Sequence, residues 1–130
     1  MYLLDTNTVI YFFKRQGRVA ERLLAVPPAE VALPSIVVYE LSVGVLKSGN
    51  PERRRKDLQE LMAATAILPF GPQEAAVAAQ IRHDLERAGT TIGPYDLLIA
   101  GAALSRGATL VSHNTGEFGR VQGLSLEDWF

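Results

Sequence analysis

The stretch Val31-Ala32-Leu33-Pro34-Ser35-Ile36-Val37-Val38-Tyr39-Glu40-Leu41-Ser42-Val43-Gly44-Val45-Leu46 decides the fold. Its first three residues are apolar without alternation, which reads as a short strand buried on both faces. Pro34 and Ser35 come next. Proline is tolerated in a first helical turn, because its missing N–H would be unpaired there anyway. Ile36 to Leu46 then reads as a strongly apolar helix. A strand that leads straight into a helix is half of a crossover unit, and such units build parallel sheets.

The same unit recurs outward in both directions. Tyr2-Leu3-Leu4 is a short strand, followed by helical sequence over Thr8 to Lys14. Val19, Ala20, Leu23 and Leu24 recur at helical spacing until Pro27-Pro28 stops them. After Gly49-Asn50-Pro51, Glu52 to Thr65 is a charged amphipathic helix. Ala66-Ile67-Leu68 is a third strand, ended by Pro69. Gln73 to Arg87 is a helix closed by Gly89. Gly93-Pro94 opens another that runs to Ser105, and Gly107 ends it. Thr109-Leu110-Val111 is a fourth strand. Asn114 to Arg120 reads as a loop or short turn, and Leu124-Ser125-Leu126 as a weak fifth strand. The expected fold is a single three-layer α/β/α domain over residues 1–130. Its central sheet is mostly parallel, with four to five strands covered on both faces.

Composition narrows the function. With 130 residues the chain can bury one adequate core. There is no cysteine, which excludes a disulfide scaffold, a thiolate zinc site and a cysteine nucleophile. No run approaches the roughly 18 apolar residues of a membrane helix. The first residues lack a signal-peptide pattern. A cytoplasmic protein without membrane attachment is expected. The formal charge of −1 does not announce a nucleic-acid binder. Basic residues nonetheless crowd two places: Lys14, Arg15, Arg18 and Arg22, and the run Arg53-Arg54-Arg55-Lys56. Each is either a solvated helix face or a phosphate-contacting surface.

In open α/β sheets, ligand sites lie beyond the carboxyl ends of the strands. Asp5 follows the first strand, and Asn114 and Glu117 follow the fourth. Asp96 begins a helix at the same edge. Glu40 lies one and a half turns into its helix and can overhang that edge. Simpler roles exist for each. Asp5 suits a helix cap, Asp96 suits the positive end of a helix dipole, and Glu117 suits a polar loop. Glu40 is harder to explain structurally. Its helical neighbours Ile36, Val37, Val43 and Gly44 make an apolar face, and a carboxylate turned to a core needs a partner or a metal. Four converging carboxylates repel one another unless a hard divalent cation offsets them. All-oxygen ligation points to Mg²⁺ or Mn²⁺, as in phosphodiester-cleaving sites.

These residues carry a resemblance. Leu4-Asp5-Thr6-Asn7, Val38-Tyr39-Glu40-Leu41-Ser42-Val43-Gly44, Gly93-Pro94-Tyr95-Asp96-Leu97-Leu98-Ile99-Ala100 and Val111-Ser112-His113-Asn114-Thr115-Gly116-Glu117-Phe118 occur in order. With the tail Leu126-Glu127-Asp128-Trp129, they resemble the PIN-domain ribonucleases over essentially the whole chain. Within that group the chain is most similar to the VapC toxins of bacterial toxin–antitoxin pairs. The resemblance implies a Mg²⁺-dependent endoribonuclease with Asp5, Glu40 and Asp96 as main acids and Glu117 as the fourth. Metal would be held by Asp5 and Asp96, with Thr6, Asn7, Ser112 and Asn114 in supporting polar roles. It also implies RNA as substrate, transfer RNA and initiator tRNA among the options, and a VapB-like antitoxin partner that blocks the acids with a basic side chain. A homodimer is implied too, and the apolar faces of Ile36 to Leu46 and Gln73 to Arg87 favour one.

One departure stands out. Many family members carry Asp where this chain has Asn114 and Glu117. Neutral Asn114 suits orienting a water or a loop, and this leaves one metal or two open. It also motivates an alternative, a catalytically degenerate RNA-binding module. A structure-specific DNA nuclease would use similar acids, whereas a phosphotransfer receiver would need an early acidic pair and a late lysine that are not evident. His83 reads as surface. His113, at the strand edge, is a candidate for substrate contact. No glycine pattern matches a phosphate loop or a dinucleotide fingerprint. Ala100, Gly101, Ala102 and Ala103 suit close helix packing.

Overall fold

The computed structural model describes residues 1–130. The strands are β1 (Tyr2–Leu4), β2 (Val31–Pro34), β3 (Ala66–Leu68), β4 (Thr109–Val111) and β5 (Ser125–Glu127). The helices are α1 (Thr6–Phe13), α2 (Val19–Leu24), α3 (Ser35–Lys47), α4 (Pro51–Ala64), α5 (Pro72–Ala88), α6 (Pro94–Ser105) and α7 (Thr115–Phe118). The sheet order is β3-β2-β1-β4-β5, and every neighbouring pair is parallel. No helix is long and apolar enough to cross a membrane.

Consecutive residues of the inner strands are buried, including Leu3, Leu4, Ala32, Leu33, Leu110 and Val111. Successive side chains of a strand point to opposite faces. Both faces are therefore covered by helices, which gives the three-layer α/β/α arrangement. The edge strand β3 departs from the expected burial on both faces. Ala66 and Ile67 are exposed, because β3 has a neighbour on one side only and lies at the margin of the helix layers.

Local signals place the helix ends. Asn50 caps α4 by accepting the Arg53 N–H at 3.3 Å, and Pro51 occupies the first helical position. Gly89 ends α5 with φ 70°, a left-handed conformation that favours glycine. The segment expected as a loop or turn after β4 holds the short helix α7, anchored by buried Phe118. The small residues of α6 do allow a close crossing. A Cβ added at Gly101 would lie 2.6 Å from that of Ala78 on α5. Any larger side chain there would push the two helices apart.

Strand order positions the site. From β1 the chain builds outward through β2 to β3, then returns to the other side of β1 for β4 and β5. The order thus reverses between β1 and β4. Crevices open beyond the strand ends at such a switch point.

Candidate active site

Asp5 lies at the mouth of that crevice. Its backbone N–H donates to the Val111 carbonyl at 3.2 Å and extends the β1–β4 ladder by one residue. Its Oδ1 then accepts the Thr8 N–H at 2.8 Å and caps α1. Both simple and chemical readings of Asp5 are therefore compatible: one oxygen caps the helix, and Oδ2 has no protein donor. No buried side-chain polar atom in the protein lacks a partner, so Oδ2 keeps contact with solvent. The Thr8 hydroxyl donates to the same Val111 carbonyl at 3.0 Å, tying the first turn of α1 to the end of β4.

The Thr6 hydroxyl donates to Glu40 Oε1 at 2.7 Å, which links α1 to α3 and holds Glu40 over the end of β1. Glu40 does not face the core as expected. The buried residues of α3 are Val37, Leu41 and Val45, and Glu40 lies on the half-buried margin of that stripe. Gly44, one turn on, borders open space rather than packed chain.

Asp96 is the third residue of α6, in the first turn, where the helix dipole favours a carboxylate. Glu117 sits on α7. Asn114 Nδ2 donates to Glu117 Oε2 at 2.6 Å, while the buried Ser112 Oγ accepts the Asn114 N–H at 3.0 Å. Asn114 therefore orients a carboxylate rather than contributing one. A two-residue chain, from Ser112 through Asn114, fixes Glu117.

None of the four acids has a Lys, Arg or His partner within 4.0 Å. The consequence falls on Asp96. Its carboxyl is pushed up to about 6, first by burial and then by the charges of Glu117, Asp5 and Glu40. When protonated it can also donate to Glu117. The acids line an edge rather than close on a point, and no three of them sit close enough to hold one ion unaided. That arrangement suits Mg²⁺, which keeps several waters and takes one or two carboxylates plus substrate phosphate. The free Oδ2 of Asp5, the uncompensated charge and the all-oxygen donor set fit such an ion.

Beside Glu40, a cleft of about 370 Å³ is also lined by Lys14, Ile10, Gly44 and Arg54. Each basic cluster thus sends one side chain to this cleft. Arg18 and Arg22 point elsewhere, paired with Glu21 and Glu127. Asn7 is exposed and makes no side-chain hydrogen bond, so nothing ties it to the acids. His83 is exposed on α5. His113 joins the tail: Nδ1 lies 2.9 Å from Asp128 Oδ2, and its ring stacks on Phe130 at 4.3 Å between centroids.

Thr8, Tyr39 and Tyr95 were not foreseen. Thr8 carried a local signal, since the third residue after a capping Asp is where the capped N–H belongs. Tyr39 and Tyr95 each immediately precede an acid, but only the packing of α3 against α6 brings them together.

Residues 2–124 match the PIN domain. The chain is 37% identical to a protein of Salmonella typhimurium named tRNA(fMet)-specific endonuclease VapC, over 98% of this chain and 97% of the relative. Its fold is similar to that in a crystal structure of VapBC2 from Rickettsia felis bound to a promoter DNA fragment. The TM-score is 0.92 and the identity 33%, covering 99% of this chain and 98% of that one. A DNA-bound VapBC structure from Salmonella typhimurium also gives a TM-score of 0.92, at 38% identity over 99% and 98%.

Proposed function

This chain belongs to the PIN-domain family, and from that premise we propose that it is a VapC-type toxin: a Mg²⁺-dependent endoribonuclease held in check by an antitoxin. One observation carries the reading. Asp5, Glu40, Asp96 and Glu117 gather at the switch point with no cationic side chain within 4.0 Å of any of them. A divalent cation restores the balance, and an RNA phosphate is the ligand that such an edge and ion accept together.

Asp5 through Oδ2 and Asp96 would hold the ion. When bound, Mg²⁺ supplies Lewis-acid stabilisation of the phosphoryl oxygens and makes water a better nucleophile. The chain's residues do the rest. Thr6 occupies Glu40 Oε1, leaving Oε2 to accept a proton from the attacking water. Water oxygen bonds to phosphorus, the phosphodiester P–O bond to one ribose oxygen breaks, and that oxygen leaves with a proton from solvent. Asn114 keeps Glu117 turned toward Asp96. Lys14 and Arg54, in the cleft beside Glu40, are placed to take flanking phosphates.

The partner side of the reading rests on a second surface. An apolar cleft of about 520 Å³ between α1, α2 and α4 is lined by Phe12, Phe13, Leu23, Leu24 and Leu61 among others. It suits the apolar side chains of an antitoxin whose basic residue reaches the acids. A homodimer belongs to the same proposal. On α5 the exposed face offers only small or polar side chains, such as Ala75, Ala79 and Gln80. Support comes instead from α3, whose Leu46 is 76% exposed.

The test is cleavage by purified protein in Mg²⁺ and in chelator, on RNA and DNA of the same sequence. Transfer RNA comes first, with initiator tRNA among the substrates, as the name of the Salmonella relative suggests. RNA cut only with metal is the expected result. Cleavage of DNA alone, or of nothing, sinks the proposal. The proposed place of action is the cytoplasm, where transfer RNA is found.

A further inference from the structure

Two large aromatic side chains stand exposed beside the acids and touch each other. Tyr39 is 52% exposed and Tyr95 43%. Their ring centroids are 5.6 Å apart, tilted by 52°, and their hydroxyls are 3.4 Å apart. Tyr39 immediately precedes Glu40 on α3, and Tyr95 immediately precedes Asp96 on α6. One residue is about 100° around a helix, so each ring flanks its acid on the solvent side. The fold gains little from this. Exposed hydroxyls are solvated without a partner, and holding two rings in one arrangement costs side-chain entropy.

The pairing fixes the surface beside the acids. The rings present flat π-faces one residue from the acids. Glu40 also lines a cleft with Lys14 and Arg54, and neither tyrosine lines it. A single strand crossing the site would therefore meet basic side chains, then the carboxylates, then aromatic faces. That sequence of contacts is how unpaired nucleic acid is held, by charge along the backbone and stacking under the bases.

We propose that Tyr39 and Tyr95 form a stacking platform for one unpaired nucleobase next to the scissile phosphate. The platform rests on the nuclease reading and deepens it: the substrate is RNA unpaired at the cut, because a base within an A-form duplex has both faces covered by its neighbours.

The experiment uses the full chain with Ca²⁺ in place of Mg²⁺ and a short unstructured RNA carrying 2-aminopurine at successive positions. The same RNA annealed to its complement is the second probe. Wild type and the Tyr39→Phe/Tyr95→Phe variant should quench the fluorophore at one position of the single strand. The Tyr39→Leu/Tyr95→Leu variant should lose that quench and bind about ten-fold or more weakly. The duplex should bind weakly to all three. A Leu variant that keeps both quench and affinity overturns the platform. Sedimentation that turns dimer into monomer in the Leu variant, with RNA affinity per chain unchanged, also overturns it and assigns the pair to a contact between copies. If the wild type neither binds nor cuts RNA, the nuclease reading falls and takes the platform with it. Normal cleavage by wild type beside an unaffected Leu variant sinks the platform alone.

Discussion

Asp5 commits one oxygen to folding and leaves the other for the chemistry proposed above. Oδ1 caps α1 and Oδ2 keeps contact with solvent. Asn at this position retains a cap-competent oxygen but places a neutral amide toward the metal site. Asp5→Asn should therefore lower Mg²⁺-dependent cleavage on the order of 100-fold or more. Melting in chelator should stay unchanged or rise, because one like charge is removed. Retained cleavage would refute the ligand role, and a much lower melting point would recast Asp5 as structural. Asp96 gives a pH-dependent counterpart. Its carboxyl titrates at about 6 in the folded protein against 3.8 for the ordinary group. The folded state binds the extra proton between those values, so this group's contribution to stability falls as pH rises from about 4 to 6 and then levels off. Asp96 is only half-buried, which discounts the full shift to about 1 kcal/mol. Asp96→Asn should raise the chelator melting point by about 3 °C at pH 7 and leave it unchanged at pH 4. Equal shifts at both pH values would contradict the proposed repulsion.

At the scale of elements, α3 holds a trade between stability and space. Gly44 sits inside the helix, yet a Cβ added there would meet nothing within 4 Å. Glycine in a helix interior costs roughly 0.5–1 kcal/mol relative to alanine. Nothing in the fold requires it. The cleft it lines with Glu40, Lys14 and Arg54 supplies a reason, since a methyl group there would occupy space for substrate. Gly44→Ala should raise the denaturation midpoint by an amount matching that cost and lower kcat/KM several-fold. A stabilised variant with full activity would show that the space is not used. The ends and types of most elements could be read locally. The caps at Asp5 and Asn50 and the stop at Gly89 each depend on a few adjacent residues. Two contacts at the candidate site differ in this respect. Thr6 reaches Glu40 across 34 positions and Tyr39 meets Tyr95 across 56, so no local pattern announces them.

For the whole molecule, the proposed catalytic edge and the proposed partner surface lie apart. The acids gather at the β1–β4 switch point, whereas the apolar cleft between α1, α2 and α4 contains none of the four. Leu24 lines that cleft and is 80% exposed. Leu24→Asp should weaken antitoxin binding about ten-fold or more, seen as lost copurification and lost growth rescue on co-expression with a VapB-type antitoxin. RNA cleavage by the free protein should persist, and copurification of a co-expressed antitoxin at wild-type yield would remove this cleft from the partner interface. The alternation of strands and helices and the parallel sheet could be read from the chain alone, as could which carboxylates fall near one sheet edge. Those follow from hydrophobic period, capping and position relative to the strand ends, all carried by residues close together in the chain. Only packing in three dimensions settled that β4 lies beside β1 and that Glu40 rides a half-buried margin. It also set His113 against the tail and Tyr39 against Tyr95. The reason is that crossover connections of these lengths permit several strand orders, and a side chain's partners are fixed only when the order is chosen and the helices have packed.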